Sequence, residues 1–485
     1  FHLIKVEHYE PAIREGMKEQ NEEIDAIVNN AEKPNFQNTI VALERSGSLL
    51  ERVTTIFGNL LSAETNDEMQ ELAEKMMPLL AEHNNSISLN EKLFARIKAV
   101  YDRKDQLTLN GEDSMLLQKT YDGFIRSGAN LQGEAKEKYR RLNTELSVLA
   151  LRFSQNLLKE TNNYELSLTT SQLEGLPESM LESYAQTAKE KGKEGNIITL
   201  DAPSFVPFMK YCKDRTLRQQ LYMAYNTQCT HDNEYNNMDI IKQLVNIRME
   251  LVQLLGYSNY AEYVLKKRMA ETEESVYQLL NQLLEAYSPT AHQEVEELAH
   301  RLEGNDFQLM PWDWAYYSEK LKNEKFKLNE EELRPYFELS QVKQGVFGLA
   351  TRLYGITFKE NKEIPVYHPD VDAYEVFDED GSFLAVLYTD FHPRAGKRSG
   401  AWMTSYKEQW IENGINSRPH ISVTMNFSKP SAEKPALLTF SEVNTFLHEF
   451  GHALHGIFAN STYATLSGTS VYWDFVELPS QIMEN

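Results

Sequence analysis

Over roughly the first 300 residues the apolar positions recur at three- and four-residue steps, the spacing of one face of an α-helix. Ile40, Leu43, Leu50, Val53, Phe57 and Leu60 keep to these steps or their multiples. Tyr139, Leu142, Leu146, Leu149, Phe153 and Leu157 make one stripe on a long helix, and Val276, Leu279, Leu283 and Tyr287 repeat the pattern. Asn110-Gly111, Gly175-Leu176-Pro177 and the Lys/Gly/Glu stretch over 189–195 interrupt it with turn chemistry. Charged residues between the stripes read as solvated helix faces, and no fixed period marks a solenoid. Near Glu363 the period changes. Residues 373–377 and 383–388 flank Asp380-Gly381, a hairpin signal. Ile421, Val423, Met425 and Phe427 then alternate with Ser422, Thr424 and Asn426, the period of a half-buried strand. The pattern predicts a mainly α protein. Residues 1–360 form a helical body, and 361–485 hold a small antiparallel sheet followed by site-bearing helices.

The chemistry sits in the last helical pattern. Residues 438–460 read as a helix, with Thr439 and Glu442 spaced as a capping box that satisfies its first free N–H groups. Inside it lies His448-Glu449-Phe450-Gly451-His452. At 100° per residue, His448 and His452 stand about 40° apart on one face, one turn from each other. Two imidazoles so placed reach one zinc ion, with Glu449 beside them, close to its open position. Gly451 costs about 1 kcal/mol against alanine inside a helix, which suggests that something approaches closely there. A third protein ligand is required. The metzincin pattern does not supply it, because its glycine slot holds His455 and its final histidine slot holds Phe458. His455 lies about 10 Å along the axis from His448, too far for one ion, and reads as a polar helix-face histidine. Glu477, at the start of a second helix after a Gly468 loop, is the better candidate. Asp474 either orients a ligand histidine or is a carboxylate at a helix N-terminus.

Composition narrows the class. The chain has 485 residues, 41% of them hydrophobic, enough for a sizeable core. Its longest apolar run, 383–388, is far short of the roughly 20 residues that cross a bilayer. A net charge of −23 argues against nucleic-acid and anionic-membrane partners. Cys212 and Cys229 are too few for a disulfide framework. Phe1 has no charged start or apolar signal core behind it, so either a leader has been removed or the numbering starts inside the chain.

Residues 448–456 (HEFGHALHG), 463–469 (YATLSGT) and 474–485 (DFVELPSQIMEN) resemble the thimet-oligopeptidase-like zinc peptidases, most of all their peptidyl-dipeptidase branch. Residues 396–403 (GKRSGAWM), 312–317 (WDWAYY) and 175–177 also fit. The resemblance implies one Zn2+ per chain held by His448, His452 and Glu477, with Glu449 as base. It implies a two-lobed helical molecule whose deep central channel admits oligopeptides, and removal of dipeptides from their C-termini. The family also has a downstream helical segment with a histidine and tyrosines that hold substrate, and residues 1–485, which lack it, are expected to be catalytically poor on their own. The alternatives are an endo-acting oligopeptidase with the same metal site and, in another class, a non-catalytic helical scaffold. Cutting a fixed two residues from the end requires a cation for the terminal carboxylate. Lys397 and Arg398 are candidates in a glycine-flanked loop, or simply face solvent. The strand over 421–427 aligns substrate by edge pairing, or is an ordinary internal strand. A cytoplasmic monomer is expected, with the periplasm left open.

Overall fold

The computed structural model describes residues 1–302, 308–430 and 434–485. The helices fall where the apolar periodicity puts them. They include α1 (Val6–Val28), α2 (Ser48–Ala63), α3 (Asp67–Ser88), α4 (Gly133–Asn163), α5 (Ala202–Tyr211), α6 (Glu273–Ala299) and α7 (Leu339–Tyr354). Their starts are chemically marked. The Asn66 side chain accepts the Met69 N–H at 2.8 Å at the head of α3, and Asn110 caps the helix Gly111–Arg126 in the same way. On α4 the predicted stripe buries Tyr139, Leu142 and Leu149. The stripe on α6 departs from expectation: Leu279, Leu283 and Tyr287 lie exposed on a well-formed helix. Periodicity forms an amphipathic helix without specifying what covers its apolar face.

Five strands make the main sheet: β1 (Thr357–Glu360), β2 (Val371–Phe377), β3 (Phe383–Asp390), β4 (Trp402–Lys407) and β5 (His420–Thr424). Their spatial order is β1-β2-β3-β5-β4. The β2–β3 hairpin turns at Asp380-Gly381 as predicted, with Gly381 at φ +82°, a conformation glycine adopts without a Cβ penalty. The sheet is not purely antiparallel, because β5 runs parallel to β3. The chain leaves β3, lays β4 on the outside, and returns through β5 between them. The expected antiparallel sheet is corrected by this pairing, and so is the expected half-buried strand. β5 is not half-buried: Ser422 and Thr424 are as inaccessible as Ile421 and Val423. Of the two readings of the strand over 421–427 the internal one holds, since both sides of β5 are paired; among the described residues the outer strand on that side of the sheet is β4.

Both faces of the sheet are covered, which is the usual setting of a parallel strand pair. One face packs Leu387, Ile421 and Val423 against α7 and against a later helix, α8 (Phe440–Ile457), through Val346, Ala350, Phe446, Phe450 and Ala453. Buried phenylalanines so packed are each worth about 3–5 kcal/mol against alanine. The other face packs Val371, Tyr388 and Tyr406 on Tyr9 and Ile13 of α1, Phe57 of α2 and Met76 of α3. The sheet therefore holds α8 on one side and the N-terminal helices on the other. A short final helix, α9 (Glu477–Glu484), lies against α8.

Candidate metal centre

The head of α8 is pinned by the predicted capping box. The Thr439 hydroxyl accepts the Glu442 N–H at 3.2 Å, and the Glu442 carboxylate accepts the Thr439 N–H at 2.7 Å. Glu442 also accepts the Ser428 N–H at 2.8 Å, tying the helix to the chain that leaves β5. Two turns further on, the Nε2 atoms of His448 and His452 each lie 3.1 Å from the same oxygen of Glu477. The three candidate ligand atoms fall within 4.8 Å of one another. Gly451 lets α9 come this close. A Cβ there would meet the Pro479 carbonyl oxygen and the Ser480 Cα, both at 2.6 Å. The local cost of glycine is offset by helix contact that seats Glu477.

The surroundings tune each group. Glu449 is buried, and burial pushes its carboxyl up to about 7; His448 opposes this, the Glu477 charge adds to it, and the Met403 N–H of β4 opposes it. Burial also holds His452 in its neutral form, the form that ligates metal. Burial works against the Glu477 charge, but the Ser480 hydroxyl, donating at 2.7 Å, and the two histidines outweigh it and keep the carboxyl below its ordinary range. Two imidazoles and an ionised carboxylate around one point are a donor set suited to zinc.

Glu484 was not foreseen. Its carboxylate lies 2.9 Å from His448 Nδ1, so it orients the ring whose Nε2 faces the cluster. The signal existed: Glu484 follows Glu477 by seven residues, two turns along one helix face. Asp474 does not take this part. Helix α9 begins at Glu477, and Asp474, in the turn before it, accepts the N–H groups of Met269 and Ala270 at 2.9 and 3.0 Å. His455 stays outside the ligand cluster.

Lys397 is neither solvent-facing nor open to a substrate carboxylate. Its buried ammonium donates to the Asp390 carboxylate at 2.8 Å, the His392 carbonyl at 2.9 Å and the Asp390 carbonyl at 3.2 Å. Arg394 grips the same carboxylate with two nitrogens, at 2.8 and 2.7 Å, and reaches Glu64 and the Ala63 carbonyl at the end of α2. Buried charges persist only when paired in this way. The Thr65 N–H to Gly396 carbonyl bond, 2.7 Å, and the Arg398 N–H to Ser62 carbonyl bond, 2.8 Å, fasten the loop to the N-terminal helices. This fixes the start of β4, and hence Met403 beside Glu449. Arg398 itself is exposed, its guanidinium 4.7 Å from the Trp402 ring centre.

With this geometry in view, the sequence comparisons are specific. The model of peptidase family M3 matches residues 208–485, which include the whole cluster. The chain belongs to peptidase family M3. Among similar proteins are a dipeptidyl carboxypeptidase of Escherichia coli, 41% identical and aligned with 100% of this chain and 72% of its own length, and one of Salmonella typhimurium, 40% identical with the same coverage. Oligopeptidase A of Salmonella typhimurium is 34% identical, over 100% of this chain and 73% of its own length. Among solved structures, PZ peptidase A with an inhibitor superposes with a TM-score of 0.51 at 16% identity, over 99% of this chain and 68% of that one, a likeness of fold. Membership in the family makes this mainly helical chain a metallopeptidase.

Proposed function

We propose that the protein is a zinc peptidase that removes dipeptides from the free C-termini of oligopeptides. The observation that carries the reading is the convergence of His448 and His452 Nε2, each 3.1 Å from one Glu477 oxygen, with Glu449 buried beside them. The 41% identity to a dipeptidyl carboxypeptidase supports the choice of product. His448, His452 and Glu477 would hold one zinc ion. Zinc bound there supplies Lewis acidity that activates a water and polarises the scissile carbonyl. Glu449 accepts the proton of the attacking water and hands it to the leaving amine. The outer edge of β4, not β5, offers its backbone to an extended peptide, with Met403 already turned to the base. In this reading the helical body and the metal-bearing half flank a channel that admits oligopeptides to a monomeric, cytoplasmic enzyme.

Digestion of a decapeptide followed by mass spectrometry tests the product. The expected result is a ladder of two-residue losses from the C-terminus, strongly slowed by C-terminal amidation. Scattered internal cuts at rates indifferent to amidation would favour an endo-acting oligopeptidase, a reading that the likeness to oligopeptidase A keeps in play. The role of Glu484 is tested separately. Glu484→Gln leaves all three ligands in place but replaces the carboxylate on His448 Nδ1, so zinc affinity should fall about 10–100-fold in a chelator competition. An unchanged affinity would show that the histidine is oriented by packing alone.

A further inference from the structure

A cavity of about 350 Å³ opens along α8 on the N-terminal side of the metal cluster. Thr445 and Ser441 line it; three and seven residues before His448, they share its helix face at about 4.5 and 10.5 Å along the axis. Gly400 and Ala401, which lead into β4, form a second side. The cavity is thus bracketed by the two elements that bracket Glu449. Its far wall carries Lys210 and Tyr211 at the end of α5, and Arg334.

We propose that this cavity seats the C-terminal dipeptide of the substrate, with the terminal carboxylate received by Tyr211 and Arg334. The proposal rests on the dipeptide-removing reading above and names its recognition site. Length agrees: two extended residues span about 7 Å, inside the reach from His448 to Ser441. The wall holds three carboxylates, each already engaged, and Glu442 accepts the Ser428 and Thr439 N–H groups at 2.8 and 2.7 Å. Glu330 is matched by Lys210 at 2.6 Å, and Glu331 by Arg334 Nη1 at 3.3 Å. Arg334 Nη2 donates to the Leu437 carbonyl at 2.8 Å and to the Ser428 hydroxyl at 3.2 Å. Two buried donors of the wall are left without a partner among the described residues, the Tyr211 hydroxyl and Arg334 Nε–H. Buried donors without partners are rare and call for a reason. Burial first, and the neighbouring glutamates second, hold the Tyr211 phenol protonated, so it remains a donor. A carboxylate brings two acceptor oxygens for these two donors once the side chains turn toward it. A terminal amide brings one acceptor and an NH2 group that confronts them with further donors.

The test compares kcat/KM of the zinc-loaded enzyme on one peptide as free acid and as C-terminal amide, in wild type, Tyr211→Phe and Arg334→Gln. Losing a buried hydrogen bond to a charged group is worth a factor of about 10–100. Each variant should lose about that factor on the acid, mainly through KM, and the acid-to-amide ratio should fall with it. A ratio that stays at the wild-type value, including an equal loss on both peptides, would overturn the proposal and leave the dipeptidase reading standing. A wild-type enzyme that treats acid and amide alike would overturn that reading, and this proposal with it. Tyr211→Phe removes a single oxygen, so it decides the matter even if Arg334→Gln does not fold.

Discussion

Glu449→Gln is expected to abolish turnover while leaving the metal in place. Glu449 lies beside the cluster without being part of it: the grouped ligand atoms belong to His448, His452 and Glu477. The amide has nearly the shape of the carboxylate and keeps an oxygen for the Met403 N–H, but it cannot take a proton from water. General acid–base catalysis is typically worth about 10²–10⁴-fold, so kcat should fall by at least that factor. Metal analysis of the purified variant should still give one zinc per chain. Zinc lost together with activity would make Glu449 a ligand and send the search for the base elsewhere.

Gly451→Ala is expected to damage the site although alanine is the better helix former. Propensity alone favours the substitution by about 1 kcal/mol. Against this, the new Cβ would sit 2.6 Å from the Pro479 carbonyl oxygen and the Ser480 Cα. Both are backbone atoms of α9, so no side-chain rotation relieves the clash. Helix α9 must move, and Glu477 moves with it. Overpacking of this kind costs about 1–3 kcal/mol, more than propensity returns. A displacement near 1 Å at a catalytic centre can lower rates about 10²-fold. Zinc titration and kcat/KM measured together should show weaker metal binding and a comparable loss of activity. Native metal affinity in this variant would mean that α8 and α9 pack with slack, and that the glycine serves another purpose.

The features legible from the chain alone are those that neighbouring residues decide among themselves. The placing of His448 and His452 on one face follows from 3.6 residues per turn, and the capping of α8 from Thr439 and Glu442 three positions apart. Gly381 turns the β2–β3 hairpin for the same local reason. Glu477 was within reach because a second helix bearing a carboxylate follows at short range. What the sequence left open depended on segments far apart along it. Alternation of Ser422 and Thr424 with apolar residues looks the same whether the second face meets water or a helical layer, and the packing of α1, α2 and α3 onto the sheet decided that it is buried. A lysine between glycines looks exposed until Asp390 and Arg394 are known to close around it. From the sequence Asp474 was the carboxylate considered as a partner for a histidine of the pair, and Glu484 was passed over. Only the start of α9 at Glu477 turned Glu484 toward His448 and left Asp474 bound to the Met269 and Ala270 amides. Periodicity and capping act over about one helical turn, whereas desolvation and charge pairing depend on which distant surfaces meet. The shared face of His448 and His452 therefore belongs to the sequence, and the seat of Glu477, the buried lysine and the outer place of β4 in the sheet belong to the tertiary structure.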